Sequence, residues 1–176
     1  MLSGFYIDGG SAFTAIIGRM DNSQETEEYR KRGFIVRHSG LVKPFDVVPV
    51  IISGSKRKPD VTPMIWGIRG KKGPYHVVFY DIHYAMKCPY LRRCIVPVSW
   101  FYDDEKPWLS SSGEEISFLA GAYYEKGDKS FTILTGSDGL PVMFKKSNVV
   151  DWVYPDIDAY RVLERTLPVK AFPIGA

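Results

Sequence analysis

The sequence contains few cysteines, few histidines and no long apolar run, and each absence excludes a class of protein. Its 176 residues include two cysteines, Cys88 and Cys94, and three histidines, with no Cys-x-x-Cys or His-x-x-x-His spacing. The sequence therefore predicts no metal site, no disulfide scaffold and no cofactor. No apolar run approaches the roughly 20 residues of a membrane-spanning helix, and the opening MLSGFYIDGG lacks the basic start of a signal peptide. We therefore expect a cytoplasmic protein that does not enter a membrane.

The composition is that of an ordinary globular chain with an excess of aromatic residues. Apolar residues make up 45%, charged residues 24% and aromatic residues 14%, and the net charge is +3. A charge this small permits an anionic partner but does not by itself indicate one. The aromatic excess fits either a β-rich core or a surface on which bases stack. The length predicts one domain, covering residues 1–176.

Short apolar runs separated by turn residues predict strands along most of the chain. The clearest strand predictions are residues 46–52, 94–102, 117–124 and 130–135, and weaker patterns favour strands at 11–20, 33–40 and 75–84. Helices are predicted within 21–33 and 156–165, with a shorter helix ending before Pro155. The pattern predicts an α+β fold that is mainly antiparallel β, a bent sheet or open barrel with a few peripheral helices.

Basic residues lie beside aromatic residues in two segments, 66–72 and 92–102. Lysine and arginine pair with phosphate oxygens, and an aromatic ring offers a base a face on which to stack. Each segment alone is also typical of a solvated turn, and exposed aromatic residues also occur at protein interfaces. We predict that a site for single-stranded DNA is lined by Trp66, Arg69, Lys71, Arg92, Arg93 and Trp100.

Four residues are candidates for chemistry, and each has a structural alternative. Asp103 and His83 are the candidate acid–base pair, although a carboxylate after a strand is also a common turn residue. Cys94 lies among apolar neighbours, so we predict that it is buried and unpaired. Cys88 is closer to a loop and is the better candidate for a nucleophile.

Seven phrases, in one order along nearly the whole chain, resemble the SOS response-associated peptidase (SRAP) family. They are VPVI (48–51), MIWGIRG (64–70), RRCIVPVSWFYDD (92–104), SFLAGAYYE (117–125), SFTILTG (130–136), LPVMF (140–144) and WVYP (152–155). The resemblance implies a compact, mainly β fold with a groove for single-stranded DNA. It also implies capture of abasic sites by a cysteine at position two, supported by a glutamate, a histidine and an asparagine.

This chain departs from the family pattern at those four positions. Position two is Leu2, which has no thiol and whose bulk should keep Met1 in place. The family glutamate falls on Asp103, and the histidine falls on Ser137. The segment 79–86, where the asparagine phrase should lie, contains no asparagine. The family's covalent chemistry is therefore expected to be lost.

Three functions stay open at this point. The resemblance favours a divergent member that binds single-stranded DNA, at abasic sites or in another DNA-damage context, without a covalent link. One alternative is an enzyme with rearranged residues, acting as an abasic-site capture protein, a lyase or an autopeptidase. The other is a phage or mobile-element protein that reuses the fold to bind a protein partner. No pattern in the sequence predicts the oligomeric state.

Overall fold

A computed structural model describes residues 2–8, 10–69, 75–77, 79–104, 106–110, 115–165 and 171–173. The strands in chain order are β1 Leu2–Ile7, β2 Gly40–Val42, β3 Val47–Ile52, β4 Asp60–Trp66, β5 Ile68–Arg69, β6 Tyr75–Val77, β7 Phe79–Asp81, β8 Arg92–Val98, β9 Trp100–Asp103, β10 Lys106–Ser110, β11 Ser117–Tyr124, β12 Ser130–Thr135, β13 Met143–Phe144 and β14 Ala171–Pro173. The α-helices are α1 Ser11–Asp21, α2 Gln24–Lys31, α3 Ile82–Met86, α4 Val149–Val153 and α5 Ala159–Arg165.

Five strands close into a barrel in the order β11, β8, β3, β4 and β12, with β12 returning to β11. Neighbouring strands are antiparallel except β12 and β4, which run parallel. β13 extends the sheet beside β11, and β7 extends it beside β12. The predicted α+β class with mainly antiparallel strands is confirmed, and the barrel is closed.

Both faces of the barrel wall are buried. Side chains alternate along each strand, so that Cys94 and Val96 of β8 point into the barrel while Ile95 packs outside with Trp152 of α4. Helices α1 and α4 cover this outer face. Burial on both sides explains why the strand sequences are almost continuously apolar instead of alternating with polar residues.

A second sheet packs on the barrel and carries the amino-terminal strand. Its order is β14, β10, β9, β1 and β2, and β9 leaves the barrel directly after β8. Phe5 and Ile7 of β1 and Phe101 of β9 join the interior cluster of the barrel. The rings of Phe5 and Trp66 lie 4.8 Å apart, which fixes this sheet against the barrel.

Some local predictions are confirmed and others are wrong. Residues 11–20 form helix α1, because Phe13 and Met20 lie on one helical face and are buried against the barrel. Residues 75–84 divide into β6, β7 and α3, since Asp81 caps α3 by accepting hydrogen bonds from the backbone of His83 and Tyr84. The predicted helices around Pro155 are confirmed as α4 and α5. Within the described ranges, no helix has the length and apolarity to cross a membrane.

Candidate functional site

The strand register puts residue two beside the candidate acid. β1 and β9 are antiparallel, with Leu2 opposite Asp103 and Gly4 opposite Tyr102. The register shifts between Leu2 and Gly4, and the hydroxyl of Ser3 donates to the Tyr102 carbonyl at 3.4 Å. On the other side of β9, Asp103 lies opposite Lys106 of β10. Leu2 and Asp103 therefore lie side by side where β1 begins and β9 ends, at one end of these two neighbouring strands.

A strained turn lies at the same end of β1. β2 ends at Val42, opposite Phe5, so residues 43–46 follow at the end where Leu2 lies. Pro44 precedes Phe45, whose φ of 76° is in the left-handed region and whose side chain is 43% exposed. A bulky residue in this conformation costs about 1–3 kcal/mol, and surrounding contacts must hold it there.

Hydrogen bonds from both sides of the turn hold Phe45 in place. Its backbone N–H donates to the Trp66 carbonyl at 2.8 Å. The buried carboxylate of Asp46 accepts from the Lys43 backbone at 3.0 Å and from the Arg37 guanidinium at 3.1 Å. The turn is therefore a rigid support for an exposed aromatic ring. The Lys-Pro-Phe-Asp sequence signals a turn, but the strained backbone is visible only in the structure.

The indole of Trp66 is not available to a base. Trp66 is 0% exposed because β4 turns this side chain into the barrel, against Phe5 and Phe131. The interpretation of Trp66 as a stacking residue is therefore wrong. The backbone carbonyl of Trp66 accepts the hydrogen bond from Phe45, and the chain then continues into β5, which ends at Arg69. Lys71 lies outside the described residues.

We name this surface the N-terminal edge and define it by Leu2, Ser3, Lys43, Phe45, Asp103 and Lys106. Lys43 and Lys106 are exposed, and Asp103 is half-buried. The residue after it, Asp104, also has a left-handed backbone, with a φ of 47°. The edge thus combines two lysines, an aromatic ring and a carboxylate on a conformationally fixed backbone. Sequence reasoning missed Lys43, Phe45 and Lys106, since they come from three separate segments.

Trp100 lies on the outer face of the same sheet. Its ring stacks on Tyr6 of β1 at 4.3 Å, with the two planes 5° apart. Trp100 is half-buried and three residues before Asp103 on β9. One ring face is covered by Tyr6, so a partner could contact only the remaining surface of the indole.

Arg92 and Arg93 lie elsewhere. β3 and β8 are antiparallel, with Ile51 opposite Ile95, so Arg93 of β8 lies opposite Ser53. Ser53 directly follows β3 and is six residues after Val47, where β3 begins. At about 3.3 Å per residue, Ser53 lies about 20 Å along the strand from Val47, which follows the turn of Phe45. Arg92 is exposed and forms an ion pair with Glu125 at 2.9 Å. Among the described residues, Arg92 and Arg93 therefore lie away from the N-terminal edge, whereas Trp100 of the same predicted segment lies on its sheet.

The candidate acid–base pair is also separated. His83 lies on α3, which packs on β7 and β12, and its ring stacks 6.5 Å from that of Tyr160. Asp103 lies on β9 of the second sheet. Ser137, at the position of the family histidine, is exposed. The arrangement does not support proton transfer between Asp103 and His83.

The two thiols differ in environment. Cys94 is unpaired and 0% exposed, as predicted, and burial raises the pKa of its thiol well above the usual value. Cys88 is unpaired and half-buried. A side-chain hydrogen bond between Tyr90 and Cys88, together with their electrostatic interaction, raises the pKa of Tyr90 to about 12.

Comparisons with known proteins place the fold but not the function. No protein-family model matches the chain, and no curated protein matches it significantly. The crystal structure of a phage-related protein from Bordetella bronchiseptica is similar, with 13% identity and a TM-score of 0.65 over 99% of this chain and 94% of that one. A second crystal structure from the same bacterium has 14% identity and a TM-score of 0.64 over 99% of this chain and 100% of that one. At these identities the likeness shows a shared fold.

Proposed function

We propose that this protein binds single-stranded DNA at the N-terminal edge without forming a covalent link to it. Two observations carry the proposal: Leu2 pairs with Asp103, and the exposed residue Phe45 lies in the turn that follows β2, at the same end of β1. The resemblance associates the first two positions with DNA, and Phe45 adds a ring on which a base can stack. The proposal retains Arg69 and Trp100 as further contacts.

The two lysines and the aromatic ring of the edge have defined roles in this proposal. Lys43 and Lys106 neutralise phosphates, which contributes an affinity that does not depend on base sequence and falls with salt. Phe45 stacks on one base, an interaction worth about 1–3 kcal/mol. Because its turn is already fixed by Asp46 and Trp66, binding does not have to order it.

Binding is proposed to be noncovalent because the thiols lie away from the edge. Leu2 has none, Cys94 is sealed in the barrel, and Cys88 lies beside Tyr90 at the other end of β8. Asp103 keeps a carboxylate, but the exposed hydroxyl of Ser137 does not titrate near neutral pH as an imidazole does. DNA that binds here is therefore expected to dissociate intact.

Fluorescence anisotropy with a labelled ten-nucleotide oligothymidine tests the proposal. Phe45→Ala is expected to weaken binding by roughly 5- to 150-fold, the equivalent of about 1–3 kcal/mol. Tyr84→Ala is the matched control, because Tyr84 is 55% exposed and lies on α3, away from the edge.

The salt dependence of binding tests the lysines. Lys43→Ala should reduce the slope of log K against log salt by about 0.7, since one phosphate contact on a single strand is lost. Lys146→Ala, an exposed lysine before α4, should leave the slope unchanged. No binding by the unmodified protein, or equal affinity in the Phe45 variant, would refute the proposal. Binding of a protein partner with a flat salt response would favour the reuse of the fold as a protein-binding module.

A further inference from the structure

A cleft of about 550 Å³ lies at the other end of β8, between α3 and the segment that joins α4 to α5. Its volume is within the range of sites that hold small molecules, roughly 300–1,000 Å³. The wall is mainly apolar, with Leu91, Ala122 and Ile157 among its members. Polar groups reach it from Cys88, Arg92, Arg93 and Asp158.

Arg93 is the notable group in this wall because no carboxylate of the described residues pairs with its charge. One guanidinium nitrogen donates to the carbonyls of Tyr154 and Ile157, at 2.5 and 2.6 Å. A second guanidinium nitrogen, Nη1, is buried with no hydrogen-bond partner in the described part of the chain. The guanidinium also lies 5.2 Å from the centre of the Trp152 ring. No described carboxylate lies within ion-pair distance of Arg93, whereas the neighbouring Asp156 pairs with Arg57.

A half-buried cation whose direct contacts are carbonyls and a ring favours an anion beside it. Burial lowers the pKa of Arg93, whereas the charges of Asp158 and Asp156 raise it. Asp158 is already engaged, since one of its carboxylate oxygens accepts the backbone N–H of Tyr160 at 3.0 Å. The cleft therefore offers a positive group that its own carboxylates do not neutralise by contact.

An aromatic ring completes the lining. Tyr160 lines the cleft and is 45% exposed. The centre of its ring lies 6.5 Å from the centre of the His83 ring, with the two rings stacked. Apolar walls and a tyrosine ring suit a flat, aromatic ligand, and Nη1 of Arg93, which has no described partner, suits an oxygen of a carboxylate or a phosphate.

We propose that this cleft binds a small organic anion, an aromatic ring carrying a phosphate or a carboxylate, with the anionic group at Arg93 and the ring against Tyr160. This site is separate from the N-terminal edge and does not depend on DNA binding there.

Calorimetric titrations with two anions and their neutral counterparts test the proposal. Thymidine 5′-monophosphate is compared with thymidine, and phenylacetate with phenylacetamide, so that the phosphate and carboxylate sources are distinguished. At least one anion is expected to bind tenfold or more tightly than its neutral counterpart. Arg93→Gln should abolish this preference, and Ala159→Trp, which fills the cleft and keeps the arginine, should abolish binding.

Two controls separate this site from others. Arg19→Gln removes an exposed, ion-paired arginine from another face, and Phe45→Ala alters the N-terminal edge. Both should leave the titrations unchanged. Anions that bind no more tightly than their neutral counterparts, or binding that survives Ala159→Trp, would overturn the proposal. If Arg93→Gln does not fold, the proposal is tested by the loss of binding in Ala159→Trp and by the comparison of each anion with its neutral counterpart.

Discussion

Gly121 of β11 offers a sensitive test of the closed barrel. It faces the barrel interior, with Cys94 of β8 opposite on one side and Ile133 of β12 on the other. A Cβ at this position would lie 2.9 Å from the Cys94 sulfur, and 3.2 Å from both the Thr132 carbonyl oxygen and a Val96 methyl group. Favourable carbon contacts are at roughly 3.5–4.0 Å, so Gly121→Ala must displace the sulfur or separate strands.

The expected cost follows from overpacking. Forcing a methyl group into a filled core costs about 1–3 kcal/mol, and for a chain of this length each kcal/mol lowers Tm by roughly 2–4 °C. Gly121→Ala should therefore lower Tm by about 2–12 °C. The Cys94→Ala variant alone loses packing, but in the double variant the new methyl group occupies the space left by the sulfur. The double variant should be more stable than the sum of the single effects by at least about 0.5 kcal/mol.

Urea unfolding of the four proteins, followed by circular dichroism, measures this coupling. Gly18→Ala on α1 is the matched control, since a Cβ there meets nothing within 4 Å. Because alanine favours a helix over glycine, this control should raise the free energy of unfolding by up to about 1 kcal/mol. Strictly additive effects at Gly121 and Cys94, or a neutral Gly121→Ala, would refute the packing described for the barrel.

Three further predictions concern Trp66, the thiols and abasic DNA. Trp66→Ala should lower the free energy of unfolding by about 3–5 kcal/mol, measured in urea, because the indole is fully buried; a stable variant would contradict its place in the core. A thiol reagent should label Cys88 in the native protein and Cys94 only after unfolding. Because burial raises the pKa of Cys94 in the native state, its contribution to stability is complete below about pH 8.5 and is lost as the pH rises further; alkaline urea titrations of the unmodified protein and Cys94→Ala measure this. Incubation with abasic single-stranded DNA should give no heat-stable adduct on a denaturing gel, with at most a product that requires borohydride, and a stable adduct without reductant would restore the capture hypothesis.

The strands were predictable because their cause is local. β3, β11 and β12 are short apolar runs bounded by turn residues, and their predicted limits agree closely with the structure. The single strand predicted at 94–102 is wrong, since the structure divides it into β8 and β9, which belong to different sheets. Closure of the barrel was not predictable, since the parallel pairing of β12 with β4 joins segments more than 60 residues apart. The sequence of α1 favours a strand because its apolar pattern is ambiguous, and only the barrel supplies the surface that buries Phe13 and Met20 on one helical face. A single domain over the whole chain stays a prediction.

The candidate site was predicted only in part. The resemblance drew attention to Leu2 and Asp103, and the register makes them neighbours. An aromatic residue beside basic residues is typical of a stacking surface, and it is also typical of a strand that turns every second side chain inward. Trp66 belongs to the second kind, since its indole lies in the interior cluster of the barrel. The sequence does not predict Phe45, because the conformation of its turn depends on hydrogen bonds to the Trp66 carbonyl and the Asp46 carboxylate, which no local pattern reveals.

The most direct test of the central claim is a map of the backbone amides that respond to single-stranded DNA. In a titration of ¹⁵N-labelled protein with a ten-nucleotide oligothymidine, the amide signals of Ser3, Phe45, Tyr102 and Lys106 are expected to shift together. The shifts should saturate at the affinity measured by anisotropy, and the amides of Arg93 and Ile157 should stay in place. Shifts confined to the cleft around Arg93, or no shift at saturating DNA, would contradict binding at the N-terminal edge.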